Sequence, residues 1–138
     1  MKELPHRLFD AYNRHDPSTA AWLYTAEGSH EDIAQGRARF GPDAIADGLR
    51  RFFECFPDSC WESEFQITDQ NGLTAVGYRF SATLQSPMGT VAAHGQSISL
   101  RGVLVLDVAD GLIRRSVDYW DGATFQRQLN HGEMEGTK

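Results

Sequence analysis

Cysteine is scarce in this chain. Cys55 and Cys60 are the two present in 138 residues, too few for a disulfide framework and without companions at metal-ligand spacing, so both are read as reduced thiols near the core. No apolar run approaches the roughly 18–20 residues that a spanning helix needs, which excludes a helical membrane protein. The first residues, Met1 to Arg7, lack the apolar heart of a signal peptide, so a cytoplasmic location is expected. Basic residues number 13 against 19 acidic ones, a net charge of −6, and they are scattered. Arg37 with Arg39, Arg50 with Arg51 and Arg114 with Arg115 are short pairs that read as solvated faces. The clustered basic footprint of a nucleic-acid binder is missing. No histidine or carboxylate cluster has metal-site spacing, so no metal is expected. Internal repeats and low-complexity segments are also missing.

What is present is a patterned chain of one domain's length, 1–138, with 131–138 expected as a disordered tail. Leu4, Leu8, Phe9 and Tyr12 recur at helical spacing and predict an amphipathic helix over 3–14. Asp16-Pro17 then restarts the chain, with Asp16 as a cap and Pro17 at the first helical position. The second helix is expected over about 17–26, with Ala21, Trp22 and Tyr24 as packing residues. Residues 28–36 form a short polar segment, strand or loop. Gly41-Pro42-Asp43 opens a third helix whose apolar stripe is Ile45, Leu49, Phe52 and Phe53, and which ends before Pro57.

From Trp61 onward the pattern is that of strands. Trp61, Phe65 and Ile67 alternate in the first, and Asn71-Gly72 marks a hairpin turn. In the next, Val76, Tyr78, Phe80, Ala82 and Leu84 share one face while Arg79, Ser81 and Thr83 share the other. Residues 85–95 are a longer connection. A strand over 96–107 follows, then the Asp110-Gly111 turn, a last strand from Leu112 to Trp120, and a terminal helix that Asp121 is placed to cap.

Gly111-x-Ile113, then Asp118-Tyr119-Trp120-Asp121, then Phe125-x-x-Gln128-Leu129 resembles the last strand and terminal helix of the SnoaL-like polyketide cyclases. The limonene-type epoxide hydrolases end similarly, and both belong to the nuclear transport factor 2-like superfamily. The resemblance extends to element order over nearly the whole chain. It implies an α+β, cystatin-like fold: a cone-shaped, curved, mixed β-sheet with three N-terminal helices packed on its concave face and a short C-terminal helix.

By the same resemblance Asp118 is the first candidate for a cavity-facing acid or base. A solvated carboxylate at the sheet end is the alternative. Helix capping competes for Asp121, and which of the two faces the cavity is left open. Arg79 and Ser81 stand where the epoxide hydrolases carry an Arg-x-Asp pair. Serine cannot be the ionised partner of that relay. His30 and Asp32 share a face if residues 28–36 form a strand, and would make a base and its orienter. In ketosteroid isomerases an acidic residue near Asp32 is the base, but Leu8 and Val103 stand where that site's other groups would be. Trp120, Ser81, Tyr12, Trp22, Phe53, Leu100 and His94 complete the expected lining.

The resemblance therefore implies acid–base chemistry without a cofactor, such as an intramolecular aldol ring closure or a related isomerisation of a small hydrophobic carbonyl compound. The substrate's own carbonyls would delocalise the charge. Epoxide hydrolysis, or a non-catalytic binding and dimerisation domain, are the alternatives. With Arg79 assigned to the cavity, Val76, Tyr78, Phe80 and Leu84 would cover the outer sheet face, and a homodimer through that face is expected.

Overall fold

The computed structural model describes the backbone of residues 3–136 and the side chains of residues 3–131. Helix α1 (Leu4–Asn13) buries Leu8, Phe9, Ala11 and Tyr12 along one stripe. Asp16 caps the short α2 (Pro17–Ala21) by accepting a hydrogen bond from the Thr19 N–H at 3.1 Å. The helix expected to reach residue 26 stops at Ala21. From Tyr24 the chain is strand β1 (Tyr24–Asp32), because its backbone pairs in parallel with the last strand. Gly28 permits that approach: a Cβ there would lie 3.0 Å from the carbonyl oxygen of Ile113. Tertiary pairing outweighs local helix propensity here.

A 3₁₀ turn (Ile33–Gln35) and Gly36, at φ 62°, reverse the chain into β2 (Arg37–Phe40). The long α3 (Pro42–Cys55) follows, then β3 (Cys60–Thr68), β4 (Leu73–Thr83), β5 (Ser97–Ala109), β6 (Leu112–Trp120) and α4 (Gly122–Gly136). Helix α4 covers much of the expected 131–138 tail, and residues 137 and 138 lie outside the described residues. Both hairpin turns form as expected, with Gly72 at φ 89° and Asp110-Gly111 at φ 54° and 78°. Among the described residues no helix is long and apolar enough to cross a membrane.

The six strands make one sheet in the order β2-β1-β6-β5-β4-β3, antiparallel except where β1 meets β6. The helices lie against its inner face. Phe9 of α1 meets Tyr78 edge-on and Tyr12 packs on Trp61, while Phe52 of α3 contacts Trp61 and Phe80. Each large apolar side chain fully buried in this cluster, such as Phe56 or Leu104, contributes roughly 2 kcal/mol.

Strand register decides which side chains face inward. In β3 it shifts between Ser63 and Phe65, at a β-bulge. Trp61 therefore points into the core, while Phe65 and Ile67, 47% and 65% exposed, point out. Simple alternation predicts all three on one face, and the bulge is what separates them. In β4 the expected faces are real but their assignment is reversed. Val76, Tyr78, Phe80, Ala82 and Leu84 are buried and line the inside. Arg79 is outside, half-exposed and paired with Glu64 at 3.3 Å. An apolar stripe that size is held by the core, so the outer face carries different residues from those the dimer argument assumed.

Candidate functional site

The end of the sheet around β1 and β6 gathers the polar groups of the interior. Parallel pairing sets His30 beside Ser116 and Asp32 beside Asp118. Cross-strand partners share a face, so all four side chains point inward, and Trp120 joins them two residues beyond Asp118. A cavity of about 650 Å³ opens above them, within the range of small-molecule sites, roughly 300–1,000 Å³. Tyr12, Trp61, Tyr78, Phe80, Leu100 and Trp120 supply much of its wall.

Asp118 accepts a hydrogen bond from the Tyr78 hydroxyl at 2.7 Å. Burial pushes its pKa from 3.8 up to about 7; the nearby Asp32 adds to the rise, while His30 and the Tyr78 hydrogen bond oppose it. Asp32 is also largely buried, but the hydrogen bond and charge of His30, together with Trp120 and Arg39, keep its pKa below the ordinary value. The Trp120 indole N–H donates to Asp32 at 3.2 Å.

His30 Nε2 stands 3.5 Å from Asp32. Its burial works against a charge, yet Asp32 and then Asp118 outweigh that, and its pKa is raised. On its other side Nδ1 lies 2.7 Å from Ser116 Oγ, which in turn lies 2.6 Å from the Tyr24 hydroxyl. Buried Tyr12 and Tyr24 are pushed to higher pKa, Tyr24 to about 12, so both stay neutral. The site thus sets an imidazole of raised pKa against Asp32, whose pKa is lowered, beside a carboxyl poised between its two forms at neutral pH.

One donor atom each from His30, Asp32 and Asp118 falls within 4.8 Å of the others. Sequence spacing did not signal this cluster, because the strands that assemble it are far apart in the chain. The three could offer a divalent cation one imidazole and two carboxylates. The Arg39 charge, which acts on both His30 and Asp32, opposes a cation there.

Of the expected site residues, Asp118, His30, Asp32, Trp120, Tyr12 and Leu100 line the cavity. Asp121 instead caps α4, accepting from the Ala123 N–H at 3.1 Å and the Thr124 hydroxyl at 2.6 Å. Arg79 and Ser81 lie on the outer face for the parity reason given above. Trp22 is 81% exposed because α2 ends before it. Phe53 is core, edge-on to Trp61, and its neighbour Phe52 lines the cavity. His94 is exposed in the connection before β5, its backbone N–H bonded to Gln96 Oε1. Tyr78 and Ser116 were missed. Their signal was available: a tyrosine amid an apolar alternation, and a serine two positions before Asp118.

This architecture is the nuclear transport factor 2 and ketosteroid isomerase-like fold, shared with many solved structures. A candidate polyketide cyclase from Xanthomonas campestris pv. campestris is 23% identical, with 91% of this chain and 93% of that one aligned at a TM-score of 0.84. A candidate SnoaL-like polyketide cyclase from Jannaschia sp. CCS1 is 18% identical, covering 91% and 88%, at 0.82. AclR, a candidate hydroxylase from Streptomyces galilaeus, is 20% identical, covering 92% and 82%, at 0.79. No curated protein matches the sequence. The profile of the SnoaL-like polyketide cyclase family matches residues 2–129, and the chain belongs to that family.

Proposed function

We propose that this protein is a cofactor-free acid–base enzyme that closes a ring in, or isomerises, a small hydrophobic polyketide-like carbonyl compound. The observation that carries the reading is Asp118, a partly buried carboxyl that lines the cavity, accepts from the Tyr78 hydroxyl and has its pKa pushed up to about 7. A base of that strength can take a proton from carbon next to a carbonyl and hand it back at neutral pH.

In the aldol form of the reaction, Asp118 removes the α-proton and the electron pair passes into the carbonyl as an enolate. The His30 imidazole, held by Asp32 and Ser116 and with its pKa raised by the carboxylates, lies beside the developing negative charge and opposes it in the fraction that is protonated. The enolate carbon attacks a second carbonyl of the same molecule, forming the ring bond. The new alkoxide then recovers the proton from Asp118. Tyr78 orients the carboxyl throughout. The epoxide-hydrolase alternative loses support, because Arg79 and Ser81 do not reach the cavity.

The test is Asp118→Asn, assayed for exchange of the α-protons of a 1,3-dicarbonyl compound with deuterium. Loss of exchange with ligand affinity retained supports the reading, and exchange at the wild-type rate rejects it.

A further inference from the structure

We propose that the cavity carries a carboxylate-binding subsite at its rim, built by Arg39 with Arg37, so that the ligand is an amphipathic acid whose apolar body runs inward and whose carboxylate stays at the mouth. This rests on the reading above for which end of the ligand meets Asp118.

The first observation is register. Across the β1–β2 hairpin Arg39 is the partner of His30 and Arg37 the partner of Asp32. Cross-strand partners project from the same face. The two guanidinium groups therefore line the same cavity as the polar cluster, one strand nearer the edge of the sheet.

The second is how Arg39 is seated. Its side chain crosses α3 where residue 48 is glycine. A Cβ added there would come within 2.4 Å of Arg39 Nε and 2.6 Å of Cζ. Glycine is a poor choice inside a helix, and here it clears a track that holds the guanidinium over the cavity. Arg39 is accordingly only partly exposed.

The third is charge. Among the described residues, the ion pairs formed by groups lining the cavity are His30 with Asp32 and Arg51 with Asp47. Neither Arg39 nor Arg37 takes part in one. Glu54 also lines the cavity, one turn beyond Arg51 on α3. In a chain of net charge −6, two guanidinium groups without an ion-pair partner, at the rim of a cavity whose wall is largely aromatic and aliphatic away from the His30, Asp32 and Asp118 cluster and Glu54, suit the paired oxygens of a carboxylate.

The probes are 1-naphthaleneacetic acid and its methyl ester, which share an apolar body and differ in charge. Binding is followed by quenching of the cavity tryptophans, Trp61 and Trp120, and by calorimetry. The acid should bind about tenfold more tightly than the ester, less so at high salt. Arg39→Gln should bring the two within about twofold of each other without weakening the ester. Gly48→Leu, which blocks the seat of Arg39, should do the same.

Equal affinity for acid and ester in the wild type, no binding of the acid at millimolar concentration, or a preference that survives Arg39→Gln would overturn the subsite. The measurements are repeated in Asp118→Asn, where the preference should persist. Turnover retained in Asp118→Asn alongside an Arg39-dependent preference would leave the subsite standing and remove the acid–base reading. Turnover lost with no preference would do the reverse.

Discussion

Asp32 and Asp118 are register partners on the parallel strands β1 and β6, and they stand on opposite sides of neutrality. Both carboxyls are partly buried, and the charge of Asp32 disfavours ionisation of Asp118. His30 decides between them. Its contact with Asp32 at 3.5 Å keeps that group ionised, and Asp118 is left with burial and a like charge beside it. Two chemically identical side chains thereby acquire different electrostatics, and the proposed reaction assigns the proton exchange to Asp118 and the counter-ion's place to Asp32.

Replacing Asp118 by Asn should abolish turnover and stabilise the protein at alkaline pH. The folded-state pKa lies above the unfolded value of 3.8, at about 7. The folded chain thus binds the extra proton between those values, and stability falls as pH rises through that window. Above about pH 7 the wild type carries a buried charge that the Asp118→Asn variant lacks. The variant's advantage should therefore grow from about pH 4 to about pH 7 and level off at roughly 1–4 kcal/mol. Denaturant unfolding at several pH values measures it. A constant difference across the range would mean that Asp118 titrates like an exposed carboxyl.

The pH dependence of kcat/KM should show an acid limb with a midpoint near 7, from ionisation of Asp118. His30 should titrate above its ordinary value in the wild type, because Asp32 and Asp118 outweigh its burial. In Asp32→Asn burial gains the upper hand and the imidazole pKa falls. Following the His30 ring protons by NMR in both proteins gives the sign directly, and an unchanged titration would count against the pairing.

The helical and hairpin parts of this fold were legible because their signals are local. Asp110-Gly111, the Asp16-Pro17 restart and the α3 stripe each act within a few residues. The inner and outer sheet faces were not, since alternation gives two sets of side chains without saying which set meets the core. Choosing Arg79 over Tyr78 for the cavity displaced Ser81 with it. The bulge before Phe65 and the parallel pairing that ends α2 at Ala21 depend on distant strands. Asp118, His30 and Asp32 emerged from motif likeness and strand parity. Arg39 looked like half of a solvated pair because its seat, Gly48, is visible only in three dimensions.

Gly102 should matter to activity through Tyr78. The two are cross-strand partners, and a Cβ on Gly102 would lie 2.3 Å from the Tyr78 hydroxyl oxygen and 2.9 Å from the backbone oxygen of Tyr119. Gly102→Ala should force the hydroxyl off Asp118 and reduce kcat by about tenfold or more. The loss should not add to that of Tyr78→Phe, since both remove the same hydrogen bond. Additive losses in the double variant would place the effect elsewhere.

The outer face offers a different dimer surface from the one the sequence suggested. Phe65, Gly77, Val103 and Tyr119 form one register row across four strands, and Ile67, Ala75, Val105 and Val117 the next. Phe65, Ile67 and Tyr119 are among the exposed large apolar side chains. A homodimer through these rows is expected in light scattering at micromolar concentration. Phe65→Glu with Tyr119→Glu should give a folded monomer, and a wild type that is already monomeric would end the idea.

Added divalent cations should inhibit and chelators should not. His30, Asp32 and Asp118 bring their donor atoms within 4.8 Å of one another, so Zn²⁺ or Mn²⁺ at high concentration has a place to bind against the opposing charge of Arg39. Binding would need Asp118 deprotonated and His30 neutral, and it would occupy both the base and the imidazole beside the enolate. Inhibition should therefore deepen as pH rises past about 7, where Asp118 gives up its proton. Excess chelator should restore full activity, and protein stripped of metal should work as well as untreated protein. If stripping abolishes turnover and a metal ion restores it, the three side chains are ligands, and the proton exchange assigned to Asp118 belongs to a metal-bound group instead.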